Sequence, residues 1–62
     1  MSGADVLAVQ HALISTGWRI TPTGIFDWHT YMAVRRFQSK ARLKVDGVVG
    51  TRTLRALGLA GR

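Results

Sequence analysis

The sequence has no cysteine, no glutamate and a single proline. Without cysteine, the chain has no disulfide and no thiolate ligand for a metal ion. No apolar stretch approaches the roughly 20 residues that a membrane-spanning helix requires, so no membrane partner is expected. The opening residues Met-Ser-Gly-Ala-Asp are not followed by the apolar segment of a signal peptide, and none is predicted in this stretch.

The apolar content is sufficient for one small folded domain. The 62 residues are 47% hydrophobic, which is typical of globular proteins and too high for disorder. A chain of this length buries only about 60% of its unfolded surface, so its stability margin is thin. We expect a single domain over residues 1–62, with its core at about 4–59, as a module of a longer protein.

Charge is strongly unbalanced along the chain. Nine Lys and Arg face three Asp, which gives a formal net charge of +6. A surface of this kind attracts polyanions, among them nucleic acid, anionic lipid and an anionic cell wall. The charge alone does not select among these partners.

Apolar residues at helical spacing predict an all-α fold, a small three-helix bundle. The helices are expected at residues 4–16, 28–42 and 51–57. Asp27 is the predicted N-cap of the second helix, and Gly17 is expected to end the first in a left-handed conformation. The residues predicted to face the core are Val6, Leu7, Val9, Gln10, Leu13, Ile14, Gly17, Ile25, Phe26, Thr30, Ala33, Val34, Phe37, Ala41, Leu54 and Leu57, with Leu7 and Ile14 at the margins of the first stripe.

A turn that leads into a helix is repeated in the sequence. The segment TGIFDWHT at 23–30 is echoed by DGVVGTRT at 46–53. Chance rarely aligns five positions in this way, so the two segments are interpreted as copies of one structural unit. The apolar pair after Gly24 is expected to turn inward. The amides of Gln10 and Gln38, which lie beside the apolar stripes, are expected to bond backbone groups of the loops.

The residue inventory does not favour an enzyme. Each of the three aspartates lies at or just before a predicted helix start, where a carboxylate acts as a cap or dipole partner. His11 and His29 stand alone, without an HExxH pattern or a further ligand, so neither a metal nor another cofactor is expected. No nucleophile elbow is recognisable. The sequence therefore favours a binding domain.

Three groups of residues together carry a family resemblance: Val9-Gln10 with Leu13 and Gly17-Trp18, GIFxxxTxxAVxxFQ from Gly24, and LxVDGVVGxxTLxALG from Leu43. From about Asp5 to Leu59, the combined pattern resembles the peptidoglycan-binding domain family. The resemblance implies a non-catalytic three-helix module that anchors a bacterial or phage cell-wall hydrolase, such as an endolysin or amidase, to murein.

The sequence departs from the family pattern at three places. Thr23 stands where the family usually has Asp, Asp27-Trp28-His29 replaces Gly-Pro-Lys or similar residues, and Trp18 replaces a tyrosine. The first two departures surround the first turn. If that turn contacts ligand, the specificity is expected to differ from that of typical members.

The predicted ligand site lies on the outer side of the second helix and at the two loop–helix junctions. There an indole face suits a sugar ring or a stem peptide, a guanidinium suits a carboxylate, and helix N-terminal N–H groups complete an anion pocket. An ordinary solvated surface is the open alternative. The predicted ligand-binding residues are Trp18, Arg19, Thr23, Trp28, Tyr31, Arg35 and Arg52.

The leading hypothesis names peptidoglycan, through its glycan or stem peptide, and a hydrolase domain of the same chain as partners. Its place of action is the bacterial cell wall, the periplasm or the outside of the cell, whether a bacterium or a phage encodes it. Two alternatives stay open. A basic three-helix unit can bind nucleic acid, although the third helix offers only Thr51, Arg52 and Arg55 for base contacts. The exposed stripe from Trp28 to Met32 can instead dock against another domain of the same protein.

Overall fold

Three short helices surround one apolar core. The computed structural model describes residues 3–59, and of residue 4 only the helical backbone. Within this range α1 spans Gly3–Ser15, α2 spans Trp28–Lys40 and α3 spans Thr51–Ala56, and no strand is present. The predicted all-α bundle is confirmed, and each helix end lies within two residues of its predicted position. No helix in the described range is long and apolar enough to cross a bilayer.

The buried core is built by α1 and α2, and α3 covers it. Val9 and Leu13 of α1 pack against Ala33, Val34 and Phe37 of α2. Burial of each large apolar side chain stabilises the fold by about 1.5–3 kcal/mol. A surrounding layer of half-buried apolar side chains comprises Trp18, Ile20, Leu43, Val49, Leu54 and Leu57.

All three helices end in the same hydrogen-bonding pattern, in which an amide beyond the helix bonds back to its last turn. The three donor–acceptor pairs are Trp18 N to Leu13 O, Leu43 N to Gln38 O, and Leu59 N to Leu54 O. A residue in the left-handed conformation makes this pattern possible. In α1 this residue is Gly17, as predicted, with φ 104°, and in α2 it is Arg42, with φ 59°. The prediction that α2 continues to Arg42 is therefore wrong. The helix ends at Lys40, because this turn returns Leu43 to the core.

Gln10 ties the first turn to α1. Its Oε1 accepts a hydrogen bond from Gly24 N at 2.9 Å, and its Nε2 donates to Ile25 O at 3.1 Å and to Thr30 Oγ1 at 2.9 Å. The residue is 0% exposed. The prediction that this amide bonds the loop backbone is confirmed.

Gln38 does the same for the second turn. Its Oε1 accepts from Gly47 N at 2.9 Å, and its Nε2 donates to Val48 O at 3.0 Å and to Thr53 Oγ1 at 3.1 Å. Among the described residues, every buried side-chain nitrogen and oxygen has a partner. These hydrogen bonds therefore offset the desolvation free energy of the two buried amides. They also fix the backbone of both turns to the core.

Three of the four apolar side chains in the turns point outward, and the two in the first turn do so contrary to prediction. Ile25 is 67% exposed and Phe26 is 37% exposed, and Val48 in the second turn is 63% exposed. The expectation that Ile25 and Phe26 face the core is therefore wrong. The buried glutamine holds the backbone of each turn against the core, with Ile25, Phe26 and Val48 directed to the surface, whereas Val49 packs against the core. Ala41, also predicted in the core, is exposed because α2 has already ended. The prediction that Ile14 and Gly17 belong to the buried stripe of α1 is also wrong, since Ile14 is 37% exposed at its margin and Gly17 lies beyond the helix end.

The second turn needs glycine for a steric reason. Gly47 has φ 72°, and a Cβ at this position would overlap the ring of Tyr31. Tyr31 therefore packs directly on the backbone of the turn, which joins the outer part of α2 to the loop before α3.

Candidate functional site

A cleft of about 520 Å³ lies between the connector after α1 and the outer side of α2. This volume falls within the roughly 300–1,000 Å³ of pockets that hold small ligands. The side chains that line it are aromatic, apolar and basic: Trp18, Arg19, Ile20, Trp28, His29, Met32 and Arg36. In the described part of the chain, no Asp lines this cleft.

The connector wall of the cleft is held by the end of α1. The Trp18 N–H bonds to Leu13 O at 3.1 Å, and the Trp18 ring packs against the core. Arg19 follows immediately and is exposed, so its guanidinium extends from a backbone that is fixed by the helix end. Ile20 packs on the core beside it.

The opposite wall begins at Trp28, the first residue of α2. Trp28 is 66% exposed, and its ring stacks on Tyr31 with a centroid distance of 5.7 Å and an interplanar angle of 30°. The guanidinium carbon of Arg35 lies 5.8 Å from the Tyr31 ring centroid. A stack of Trp28, Tyr31 and Arg35 thus follows the helix in steps of three and four residues, the spacings at which helical side chains are neighbours.

Asp27 fixes the start of α2. Its Oδ1 accepts hydrogen bonds from Thr30 N at 3.0 Å and from Thr30 Oγ1 at 3.1 Å, so the predicted N-cap is confirmed. The Thr30 backbone N–H is the largest cause that lowers the pKa of Asp27 below its ordinary value, and His29 lowers it further. The carboxylate is thus ionised at neutral pH and serves the helix terminus.

The predicted site residues are only partly brought together. Trp18, Arg19 and Trp28 line the same cleft. Arg35 lies over Tyr31 instead, and Tyr31 itself lines a shallow hollow with Phe26, Asp27 and Trp28.

Two further predicted residues lie elsewhere. Thr23 belongs to the first turn, where its Oγ1 accepts from Ile25 N at 3.1 Å. Arg52 lines a separate cleft of about 320 Å³ beside the second turn, together with Lys44 and Asp46. Arg19 and Arg52, both predicted at loop–helix junctions, therefore do not share a pocket, and Arg19 lies in the connector after α1 instead.

His29 and Arg36 line the cleft, although the sequence-based prediction did not include them. A signal for Arg36 was present in the sequence. Trp28, Met32 and Arg36 follow one another at i+4 spacing, and residues four apart lie on the same face of a helix. The prediction chose Arg35 on that face, whereas the structure directs Arg35 to the Tyr31 side.

The two turns form a second, apolar cleft of about 550 Å³. Equivalent residues of both turns line it, namely Gly24, Ile25 and Phe26 in the first and Gly47, Val48 and Val49 in the second. Gly3 and Val6 of α1 complete the lining. Phe26 also lines the hollow that contains Trp28. An exposed apolar surface therefore extends from the turns to the rim of the basic cleft.

The fold and these surfaces define a small helical binding domain. Within residues 3–59, no three His or Asp side chains lie close enough to hold a metal ion. The exposed features are indole rings, guanidinium groups and an apolar double turn. A family model described as a peptidoglycan binding domain matches residues 2–57, nearly the whole chain. The chain belongs to this family, as its residue pattern suggested.

Three relatives illustrate where the domain occurs. A spore cortex-lytic enzyme of Bacillus cereus is 42% identical over 57 residues, which cover 90% of this chain and 22% of the relative. The spore cortex-lytic enzyme of Bacillus subtilis (strain 168) is 41% identical over 58 residues, covering 90% and 19%. The N-acetylmuramoyl-L-alanine amidase CwlL of Bacillus licheniformis is 36% identical over 63 residues, covering 97% and 18%.

The chain thus spans about a fifth of the length of these relatives. No solved structure is significantly similar to it.

Proposed function

We propose that this domain binds murein and holds a cell-wall hydrolase of the same chain on its substrate. The observation that carries the proposal is the cleft in which Trp18 and Trp28 lie beside Arg19 and Arg36. Indole faces suit sugar rings and apolar peptide groups, and guanidinium groups suit carboxylates. Family membership and relatives that are named as lytic enzymes and an amidase support the same function.

The domain binds without cleaving. Glycoside hydrolysis uses a pair of carboxyl groups, one of which has a raised pKa and acts as the acid. Asp27 and Asp46 have lowered pKa values, chiefly because backbone N–H groups of Thr30 and Val48, respectively, bond their carboxylates. Both carboxylates therefore have a structural role in this domain, and the reaction belongs to another part of the protein.

The place of action is the cell wall, in the periplasm or outside the cell. One cleft of this size gives modest affinity, and repeated sites on an insoluble polymer raise the effective concentration. The net charge of +6 adds attraction to a wall that carries carboxylates and phosphates.

Sedimentation with purified insoluble peptidoglycan tests the proposal. The unmodified domain is expected to sediment at moderate salt, and Trp28→Ala is expected to bind at least about tenfold more weakly, because an aromatic anchor typically contributes 2 kcal/mol or more. Ile14→Ala is the matched control, since Ile14 is an exposed apolar residue of α1 outside the cleft. Unmodified domain that stays in the supernatant would contradict murein binding. Equal sedimentation of Trp28→Ala would contradict the site.

A further inference from the structure

We propose that Arg19 and Arg36 together bind a free carboxylate of the murein stem peptide in the cleft between Trp18 and Trp28. This inference rests on the proposed function and adds which part of the polymer enters the cleft. It is carried by the charges around the cleft, by the rigidity of their backbones and by the apolar side chains next to them.

The ionisable groups that line the cleft are all basic. They are Arg19, His29 and Arg36, and within the described residues no carboxylate lines the same space. Asp27 is adjacent in sequence, but its Oδ1 is bonded to Thr30 and the residue lines the neighbouring hollow. His29 interacts with the Asp27 carboxylate, so Arg19 and Arg36 are the two lining cations that an anionic ligand in the cleft would bind, and such a ligand reduces the repulsion between them.

The two guanidinium groups come from well-fixed backbone on opposite walls. Arg19 follows Trp18, which is fixed by its N–H bond to Leu13 O and by core packing. Arg36 precedes Phe37, which is buried in the core. Two planar donor forks on rigid elements suit the bidentate binding of a carboxylate. Arg35 does not take part because it lies over Tyr31.

The neighbours of the arginines favour a peptide carboxylate over other anions or neutral sugars. Ile20 and Met32 line the cleft beside Arg19 and Arg36, so a carboxylate attached to small apolar side chains finds contacts for both parts. A neutral glycan leaves both guanidinium groups unpaired. A polyphosphate chain would gain nothing from the apolar wall. The cleft therefore matches the end of an alanine-containing stem peptide.

Titration with soluble muropeptides tests the inference by NMR and calorimetry. A disaccharide–peptide with free carboxylates is expected to bind and to shift the side-chain Nε–H signals of Arg19 and Arg36. The same compound with its carboxyl groups amidated is expected to bind about tenfold more weakly, since it loses the charge-assisted hydrogen bonds to the two guanidinium groups. A chitin oligosaccharide and a glycerol phosphate oligomer serve as the neutral and phosphate probes, and both are expected to bind more weakly.

Matched charge variants separate the site from net charge. Arg19→Gln/Arg36→Gln is expected to weaken binding of the free-carboxylate compound at least about tenfold. Arg42→Gln/Arg55→Gln removes the same charge outside the cleft and is expected to leave that affinity within about twofold at moderate salt. Circular dichroism checks that both variants fold.

Several results would overturn the inference. Equal binding of the amidated compound, equal weakening by the control variant, or tighter binding of the phosphate oligomer would each do so. Sedimentation of the unmodified domain on insoluble murein, measured in parallel, separates this failure from that of the proposed function. If the domain sediments but shows no preference for carboxylate, murein binding stands and the carboxylate site is wrong. If it does not sediment, both are wrong.

Discussion

At the scale of single residues, two buried glutamines determine both turns. A polar side chain on an apolar helix stripe must be hydrogen-bonded, and the position of Gln10 and Gln38 was therefore sufficient to predict their loop partners. The outward direction of Ile25 and Phe26 was not predictable from hydrophobicity. Gln10 bonds the backbone of Gly24 and Ile25, and this contact sets the direction of the neighbouring side chains. Only the folded arrangement of the turn against α1 shows which backbone atoms the amide reaches.

The two turns differ in one hydrogen-bonding residue. In the second turn Asp46 Oδ1 accepts from Val48 N at 2.9 Å and from Gln38 Nε2 at 3.1 Å. In the first turn the hydroxyl of Thr23 takes this place, with longer distances of 3.1 Å to Ile25 N and 3.4 Å to the Gln10 amide. A neutral hydroxyl is a weaker acceptor than a carboxylate.

Thr23→Asp is expected to stabilise the domain by about 1 kcal/mol, because hydrogen bonds to a charged acceptor exceed neutral ones by about that amount. Chemical denaturation at pH 7 measures the change. Thr21→Asp is the control, since it adds the same charge at an exposed connector residue. The explanation would be wrong if both variants gave the same free energy of unfolding, because a general charge effect would then be sufficient.

At the scale of elements, α2 and α3 begin with the same backbone but different caps. Asp27 has φ −96° and ψ −173°, and Gly50 has φ −94° and ψ −171°. Asp27 caps its helix through Thr30 N, whereas Gly50 provides no side-chain cap. A Cβ on Gly50 would meet nothing within 4 Å, so a larger residue fits there.

Gly50→Asp is expected to stabilise the domain by about 0.5–1 kcal/mol. The carboxylate can accept from the backbone N–H of Thr53, and the substitution also lowers the entropy of the unfolded chain. Gly50→Ala isolates the entropic part because it cannot cap. In thermal unfolding, the Tm of Gly50→Asp should exceed that of Gly50→Ala. The reverse order would contradict the capping explanation.

Helix positions were largely predictable, since the apolar spacing and the Asp27 cap are local signals. The end of α2 was not predictable, because an arginine at position 42 does not indicate a left-handed conformation. Only Gly and, less often, Asn or Asp adopt it readily. The pull of Leu43 into the core outweighs that local preference, and this competition is settled by tertiary packing.

At the scale of the whole molecule, acid stability depends on few carboxylates. The pKa values of Asp27 and Asp46 are lowered, mainly by the backbone N–H groups of Thr30 and Val48. A lowered folded pKa adds stability that is fully present above the ordinary value of 3.8. That stability is lost as the pH falls through the lower folded values.

The Tm of the domain is therefore expected to be level from neutral pH to just above the ordinary Asp pKa and to fall below it. Thermal melts followed by circular dichroism between neutral and strongly acidic pH measure this profile. Asp27→Asn/Asp46→Asn keeps acceptor oxygens that do not titrate, so its Tm should be lower at neutral pH and should change less with acid. An unchanged acid profile in this variant would show that other groups dominate.

The candidate site was predictable in part. Trp18, Arg19 and Trp28 were predicted from exposure, charge and resemblance, and they line one cleft. The prediction named Arg35 and omitted Arg36, its neighbour in sequence. The structure distinguishes them, because Arg35 lies over the Tyr31 ring and Arg36 lines the cleft. Arg52 lies in α3, after the second turn, and lines another cleft, whereas Arg19 lies in the connector before the first turn.

The sequence by itself determined the helices, the repeated turns and the buried glutamines, because spacing, caps and the need to satisfy polar groups act over a few residues. The tertiary structure decided which side chains share a surface. Two copies of one turn lie together as an apolar cleft, and a connector placed against α2 creates a basic one. Such surfaces depend on contacts between segments far apart in the chain, which local sequence patterns do not specify.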